Sequence, residues 1–191
     1  MTGNCNLDSL KLKQYLPKDP LIDLTFEYPE GWNVFERWGS YGSFIQAQIL
    51  EPLKASDTTK ELPCSISITI YPKSKAEFSP LSAQGLADDI RTKRLSLKGC
   101  TLLSSAETNI AGLKATDEKL AYSIFDLPLQ ANAKSIPVIE RILCFQRGDS
   151  YYTISLNETT EYFEAYNDVF NRILNSLQFR NESSSNNASS Q

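Results

Sequence analysis

Residues 24–35 read LTFEYPEGWNVF, and this stretch decides the fold prediction. Apolar and polar residues alternate from Ile22 to Tyr28, which is typical of a strand with one buried face. Pro29 and Gly31 then predict a turn, because proline presets a negative φ and glycine permits a positive one. A second strand pattern resumes at Trp32. The stretch therefore predicts two consecutive strands joined by a tight corner.

The composition excludes several functional classes. The formal net charge of −4 argues against a nucleic-acid-binding protein, which needs a basic surface to contact phosphates. The chain has no histidine, which excludes Ser-His-Asp and Cys-His catalysis, histidine-ligated zinc and haem with a histidine ligand. No glycine-rich phosphate loop is present, and no pair of carboxylates stands out for acid–base chemistry. The residues thus show no catalytic constellation, and a cytosolic enzyme or regulator stays open as one alternative.

The remaining apolar patterns predict strands and two helices. Further strands are expected near 44–50, 64–71, 101–108, 114–125, 136–146 and 151–156. Gly112 and Gly148 mark hairpin turns. One helix is predicted to begin with Ser79 as N-cap, and the other to span about 161–177 with Thr159 or Thr160 as N-cap. This order predicts an α+β domain, a central antiparallel sheet with helices on opposite faces.

The ends of the chain differ in composition from the middle. Residues 1–20 read as a polar lead-in, residues 21–180 as the domain, and residues 181–191 as a disordered tail, since that tail has little apolar surface to bury. The start leaves two alternatives open: a cytoplasmic protein that begins at Met1, or a trimmed mature form with an added start residue. In the second case Cys5 is a candidate for the lipidated residue of a bacterial lipoprotein. No disulfide pairing is assigned among the four cysteines, which lie at Cys5, Cys64, Cys100 and Cys144.

Three short motifs are interpreted as ordinary surface features. The segment 147–150 reads RGDS and lies between two strand patterns, so it predicts a hairpin tip rather than an integrin ligand. The neighbouring acids 88–89 and 117–118 are expected to point in different directions along a helix and a strand. They predict solvated faces rather than metal sites.

The second tryptophan lies in a different context from the first. Residues 37–43 read RWGSYGS, which has the composition of a loop with two large aromatic side chains. Arg37, Trp38 and Tyr41 are residue types that dominate protein interfaces, so we predict a partner-binding patch there. The alternative is that Trp38 folds back over the edge of the sheet.

The corner resembles the opening of the PsbP family, the extrinsic proteins of photosystem II and their relatives. The matching residues are Phe26, Tyr28, Pro29, Gly31 and Trp32. The closing segment is similar too, in a looser way, at Phe170, Ile173, Ser176 and Phe179. The resemblance implies an α/β/α sandwich, a fold shared with a Ran-binding nuclear import factor, in which the five corner residues are structural. It also implies a protein without enzymatic activity.

For function, the resemblance implies peripheral association with photosystem II, in its assembly or in stabilising the oxygen-evolving centre, and calcium as a candidate cofactor. Such a protein is lumenal or otherwise exported, and we expect a monomer. The chain departs from the family in two ways: it shows no targeting segment, and it lacks the histidines proposed as metal ligands in some members. The alternative is an exported binding module or lipoprotein of the same fold with no photosystem role.

Overall fold

The computed structural model describes residues 10–52, 63–72, 82–125 and 134–180, without the side chain of Tyr41. Within these ranges the strands are Leu12–Tyr15 (β1), Leu24–Pro29 (β2), Asn33–Trp38 (β3), Ile45–Leu50 (β4), Ser65–Pro72 (β5), Thr101–Ile110 (β6), Leu113–Phe125 (β7), Ser135–Arg147 (β8), Ser150–Thr159 (β9) and Gln178–Phe179 (β10). The helices are Ala83–Leu95 (α1) and Phe163–Ser176 (α2), with a single 3₁₀ turn at Ser40–Gly42.

The strands form two antiparallel sheets. The larger sheet has the order β3-β4-β5-β9-β8-β7-β6, and the smaller one the order β1-β2-β10. Two-residue turns join β6 to β7 and β8 to β9. The first turn, Ala111–Gly112, has positive φ at both residues (48° and 83°), as a tight hairpin requires. In the larger sheet β3 and β6 are the edge strands.

The core lies on both faces of the larger sheet. On the inner face, buried side chains of β4, β5 and β9 pack against α2 and the smaller sheet. On the outer face, Leu86 and Ala87 of α1 pack against Leu120, Ile142 and Tyr151. The two helices thus cover opposite faces of one antiparallel sheet, and the predicted α+β sandwich is confirmed.

The helix α2 follows from its apolar stripe. Tyr166, Val169, Phe170 and Ile173 recur at helical spacing and are all buried. The predicted N-cap at Thr159 or Thr160 is wrong: β9 runs to Thr159, which still pairs with β8, and the helix begins only at Phe163. Sheet pairing therefore outweighs the local capping preference at these threonines.

The helix α1 has Ser82 as its N-cap, whose side chain accepts a hydrogen bond from Gly85 N–H at 3.0 Å. Ser79, the predicted N-cap, lies outside the described residues. Since α1 buries only Leu86 and Ala87 fully, its apolar contact with the sheet is small. Ion pairs add to it: Arg91 pairs with Glu118 and Arg94 with Glu140.

The sequence did not predict strand β1, because Leu12–Tyr15 is too short and too polar to show a clear alternation of apolar and polar residues. It pairs with β2, and the Tyr15 ring stacks on Phe26 with the centroids 4.6 Å apart. The predicted lead-in thus contains a strand of the smaller sheet. The domain limits of 21–180 stay a prediction, and the tail at 181–191 lies outside the described residues.

The structure shows where the segment 147–150 and the described cysteines lie. The segment 147–150 is the turn between β8 and β9, as predicted, and its Arg147 pairs with Asp23 near the smaller sheet. No disulfide joins the described cysteines Cys64, Cys100 and Cys144, and Cys5 lies outside the described residues.

Candidate binding groove

A groove separates strand β3 from the segment that contains β1. We call it the β1–β3 groove: residues 13–16 and 18–20 line one side and residues 33–38 the other, with contributions from Tyr28, Trp32 and Ile45. Its cavity volume is about 1020 Å³. Both tryptophans of the chain line it. The groove is thus the place where the corner of the fold and the predicted binding patch meet.

Glu36 holds the two sides of the groove together. Its carboxylate accepts hydrogen bonds from Tyr15 OH (2.7 Å), Lys18 N–H (2.8 Å) and Asp19 N–H (2.9 Å). Desolvation opposes ionisation of Glu36, but these hydrogen bonds outweigh it and lower its pKa below the usual value. Burial, followed by the hydrogen bond to Glu36, raises the pKa of Tyr15. Glu36 is therefore a charged anchor that fixes the segment 15–19.

Trp38 is oriented at the rim by the same segment. Its indole Nε1–H donates to Asp19 Oδ2 at 3.0 Å, while Asp19 Oδ1 accepts from Leu21 N–H at 2.9 Å. The side chain is nevertheless 43% exposed. The ring is therefore fixed near the sheet edge and still presents much of its surface to solvent.

The predicted patch is divided between two faces of β3. Arg37 and Trp38 end this strand rather than lie in a loop, so the predicted loop at 37–43 is shorter than expected. Adjacent strand residues point to opposite faces, and Arg37 donates to Gln46 Oε1 at 2.6 Å on the outer face. The backbone of Tyr41 lies in the 3₁₀ turn. Their role in binding a partner stays a prediction.

The corner residues occupy the start of the groove and the core beneath it. Phe26, Tyr28 and Trp32 are buried, and the Trp32 ring lies 6.0 Å from that of Tyr166 on α2. Pro29 ends β2, and Gly31 adopts a φ of 92°, which a side chain would disfavour. The local sequence forms this corner because Pro29 and Gly31 set the turn and the aromatic rings provide its buried side.

Three groove residues escaped the sequence analysis: Tyr15, Asp19 and Glu36. The first two lie in the segment interpreted as a polar lead-in. Glu36 carried one usable signal, because it lies between Val34 and Trp38 on the inner face of β3, as the pairing with Ile49, Ala47 and Ile45 of β4 shows. A carboxylate there needs hydrogen-bond donors, but nothing in the sequence said which segment supplies them.

The neighbouring acids pair with arginines on two faces of the larger sheet. On the outer face Asp88 and Glu118 both pair with Arg91, whereas Asp117 on the inner face pairs with Arg141. The prediction of solvated faces is therefore wrong for Glu118, which is 1% exposed, and incomplete for Asp88 and Asp117. Across the four described ranges, no group of three or more His, Cys, Asp and Glu side chains is arranged to hold a metal ion. Calcium binding stays a prediction from the family resemblance.

Glu118 gives a testable pH dependence. The side chain is 1% exposed, and burial raises its pKa even though Arg91 and a hydrogen bond from Ser105 act in the opposite direction. A raised pKa means that the folded state binds the proton more tightly than the unfolded state does. The stability gained from the protonated Glu118 is therefore present at low pH and is lost as pH rises through the folded pKa. Glu118→Gln should therefore gain melting temperature relative to the native protein as pH rises from about 4, where a free glutamate titrates, through the higher pKa of the folded state.

Thermal melts by circular dichroism at several pH values test this expectation. Glu107→Gln, at an exposed position of β6, is the matched control and should show no such trend. A stability difference between Glu118→Gln and the native protein that is the same at every pH would contradict the assignment.

The sequence matches no protein-family model and no curated protein. None of the helices in the described ranges has the length and apolarity needed to cross a bilayer. Solved structures nevertheless show clear likeness. A Bacteroides thetaiotaomicron protein is 13% identical with a TM-score of 0.53; the match covers 90% of this chain, which spans about half (50%) of that protein.

Three other solved structures match over most of both chains. The Saccharomyces cerevisiae Ran-binding protein Mog1p is 10% identical (TM-score 0.59, 92% of this chain and 98% of that one). Cyanobacterial PsbP from Synechocystis sp. PCC 6803 is 13% identical (TM-score 0.53, 89% and 93%). LpqN of Mycobacterium tuberculosis, described as involved in cell envelope biogenesis, is 14% identical (TM-score 0.51, 91% and 92%). At such identities the likeness establishes the fold alone: the chain has the α/β sandwich fold of PsbP and Mog1p.

Proposed function

We propose that this chain is a non-enzymatic, exported binding protein that associates peripherally with photosystem II through the β1–β3 groove. The observation that carries the proposal is the half-exposed Trp38, held in place by Asp19 at the rim of the groove. A large aromatic side chain that is ordered before binding loses little conformational entropy on binding. Tryptophan is also among the residues that contribute most to protein interfaces.

The groove supports binding rather than catalysis. Its two carboxylates, Glu36 and Asp19, accept hydrogen bonds from the protein itself and serve to order the segment 15–21. The photosystem role draws on the resemblance of the corner at 26–32 to PsbP and on the structural likeness to cyanobacterial PsbP. An exported location is supported by the same likeness.

A second candidate function is an exported binding module or lipoprotein of the same fold with no photosystem role. The likeness to LpqN, described as involved in cell envelope biogenesis, favours this candidate as much as the likeness to PsbP favours the first. The groove and its ordered tryptophan suit either candidate. Capture experiments with thylakoid membranes and with cell-envelope membranes therefore separate the two.

The double variant Trp38→Ala/Tyr41→Ala is expected to lose capture of photosystem II from detergent-solubilised thylakoid membranes. Loss of two interface aromatics typically weakens binding by about tenfold or more. The domain should stay folded, because Trp38 is half exposed and lies outside the main core. Pull-down yield, measured beside a circular dichroism melt, is the readout.

Phe125→Ala is the matched control, since Phe125 is an aromatic side chain with 57% exposure on β7, far along the sheet order from β3. It should capture as well as the native protein. Full capture by a folded double variant would place the interface elsewhere. If the native protein captures no photosynthetic complex, the photosystem role is wrong and the second candidate takes its place.

A further inference from the structure

Strand β3 presents an open backbone edge toward the groove. Gly39 N–H donates to Phe44 O at 2.9 Å, which makes these two residues a hydrogen-bonded pair one step beyond the pair of Trp38 with Ile45. Such pairs alternate along an antiparallel ladder. Residues 33, 35 and 37 therefore bond to β4, and the backbone groups of Val34 and Glu36 point away from it.

The next strand pair confirms this assignment independently. Glu51 N–H donates to Cys64 O at 3.1 Å, so alternate residues of β4 bond to β5 and the others, including Gln46 and Gln48, bond to β3. Within the described part of the chain, the backbone N–H and C=O groups of Val34 and Glu36 take part in no hydrogen bond. They are two donors and two acceptors in the spacing that an added strand requires.

The groove offers space for such a strand. An added strand lies about 4.8 Å from its neighbour and rises about 3.3 Å per residue, so the six residues of β3 match a segment of about 20 Å. The cavity beside β3 has a volume of about 1020 Å³ and runs along the whole strand. Exposed apolar side chains flank both faces of this edge: Phe35 on the outer face and Trp38 on the inner face.

The charges around the edge favour an acidic occupant. Lys13, Lys18 and Arg37 line the groove, and none of them forms a salt bridge with another described residue. The two carboxylates of the groove, Asp19 and Glu36, already accept five hydrogen bonds from the protein between them. Three cations thus face two carboxylates, and Lys18 partly balances Glu36, so the groove lining keeps a net positive charge for which carboxylates are the natural partners.

We infer that the groove binds an extended, acidic segment of the partner protein, which adds as an eighth strand to the β3 edge of the larger sheet. Main-chain hydrogen bonds to Val34 and Glu36 supply the pairing. Successive side chains of the segment point to opposite faces of the sheet. Apolar groups meet Trp38 on the inner face, and carboxylates meet Arg37 on the outer face. This inference rests on the proposed binding function and adds the class of segment that is recognised.

Amide hydrogen exchange followed by NMR on the full chain is the test. The probe is a synthetic peptide of about eight residues with alternating valine and glutamate, a typical strand length with some overhang. On binding, the amides of Val34 and Glu36 should exchange about tenfold more slowly, because they become hydrogen-bonded. A peptide with lysine in place of glutamate should bind at least about tenfold more weakly.

A pair of variants separates backbone pairing from side-chain contact. Val34→Pro removes the outward N–H, and edge strands tolerate proline at such positions, so the ladder to β4 remains. It should weaken peptide binding about tenfold, whereas Val34→Ala, which keeps the N–H, should bind nearly as the native protein does. A melt of each variant checks that the sheet is intact.

The inference is overturned if the glutamate peptide does not bind, if it binds without slowing exchange at Val34 and Glu36, or if Val34→Pro binds as well as Val34→Ala. Slow exchange at both amides in the free protein, together with a doubled mass in solution, would show that a second copy covers the edge, which also overturns it. If Val34→Pro still captures photosystem II, strand addition is wrong but the photosystem role stands. If the native protein binds the peptide but does not capture photosystem II, the photosystem role is wrong but strand addition stands.

Discussion

Trp32→Ala is expected to lower the free energy of unfolding by about 3–5 kcal/mol, the usual range for emptying a large buried aromatic site. Trp32 is 7% exposed and belongs to the core between the larger sheet, the smaller sheet and α2. Its ring lies 6.0 Å from that of Tyr166, whose hydroxyl donates to Glu51 at 2.6 Å. Loss of the indole therefore leaves a cavity where the corner meets α2.

The measurement is a pair of urea melts, with Trp38→Ala as the control. Trp38 is half exposed, and its removal takes away one hydrogen bond to Asp19 and little buried surface. We expect that change to cost about 1 kcal/mol or less. Equal losses of stability in the two variants would contradict the division between a core tryptophan and a surface one.

Arg141→Ala is expected to cost about 3 kcal/mol, at the low end of the range for breaking a buried ion pair, because Arg141 and Asp117 retain 14% and 17% exposure. The guanidinium joins three elements. It pairs with Asp117 on β7 at 2.6 Å and donates to Asn167 and Asn171 of α2 at 2.8 and 2.7 Å. Without Arg141, the carboxylate of Asp117 loses its cation while it stays largely shielded from water.

Denaturant melts of Arg141→Ala and Arg37→Ala provide the comparison. Arg37 is exposed on the outer face of β3, where it donates a hydrogen bond to Gln46. Its removal should change the free energy of unfolding by no more than about 0.5 kcal/mol. If both arginines cost the same, the network between β7, β8 and α2 adds no stability beyond that of a surface contact.

Trp32 and Trp38 are close in sequence because the chain uses a single strand to connect the core to the rim of the groove. Trp32 precedes β3 and packs inward, and Trp38 ends β3 and is held by Asp19. A strand of six residues places the two rings at opposite ends of the same edge. Their concentration in one stretch therefore reflects two roles along one element, a structural role and the binding role that we propose.

The sequence alone determined the elements that have a strong period. The alternation in residues 22–28, the isoleucines of β5 and the stripe of α2 each bury one face, and burial of apolar surface is the largest local contribution to folding. The corner at Pro29 and Gly31 was equally readable, since few other residues adopt the backbone angles of such a turn. These patterns sufficed for the fold class and for most strand positions.

The tertiary structure decided what depends on distant partners. Strand β1 forms because β2 is present to pair with it, and Thr159 stays in the sheet because β8 pairs with it. Likewise, Glu36 becomes an anchor only when Tyr15 and the backbone of Lys18 and Asp19 reach it across the groove. Hydrogen bonds and ion pairs between residues far apart in sequence leave no local periodicity, so only the folded chain reveals which of its polar side chains meet.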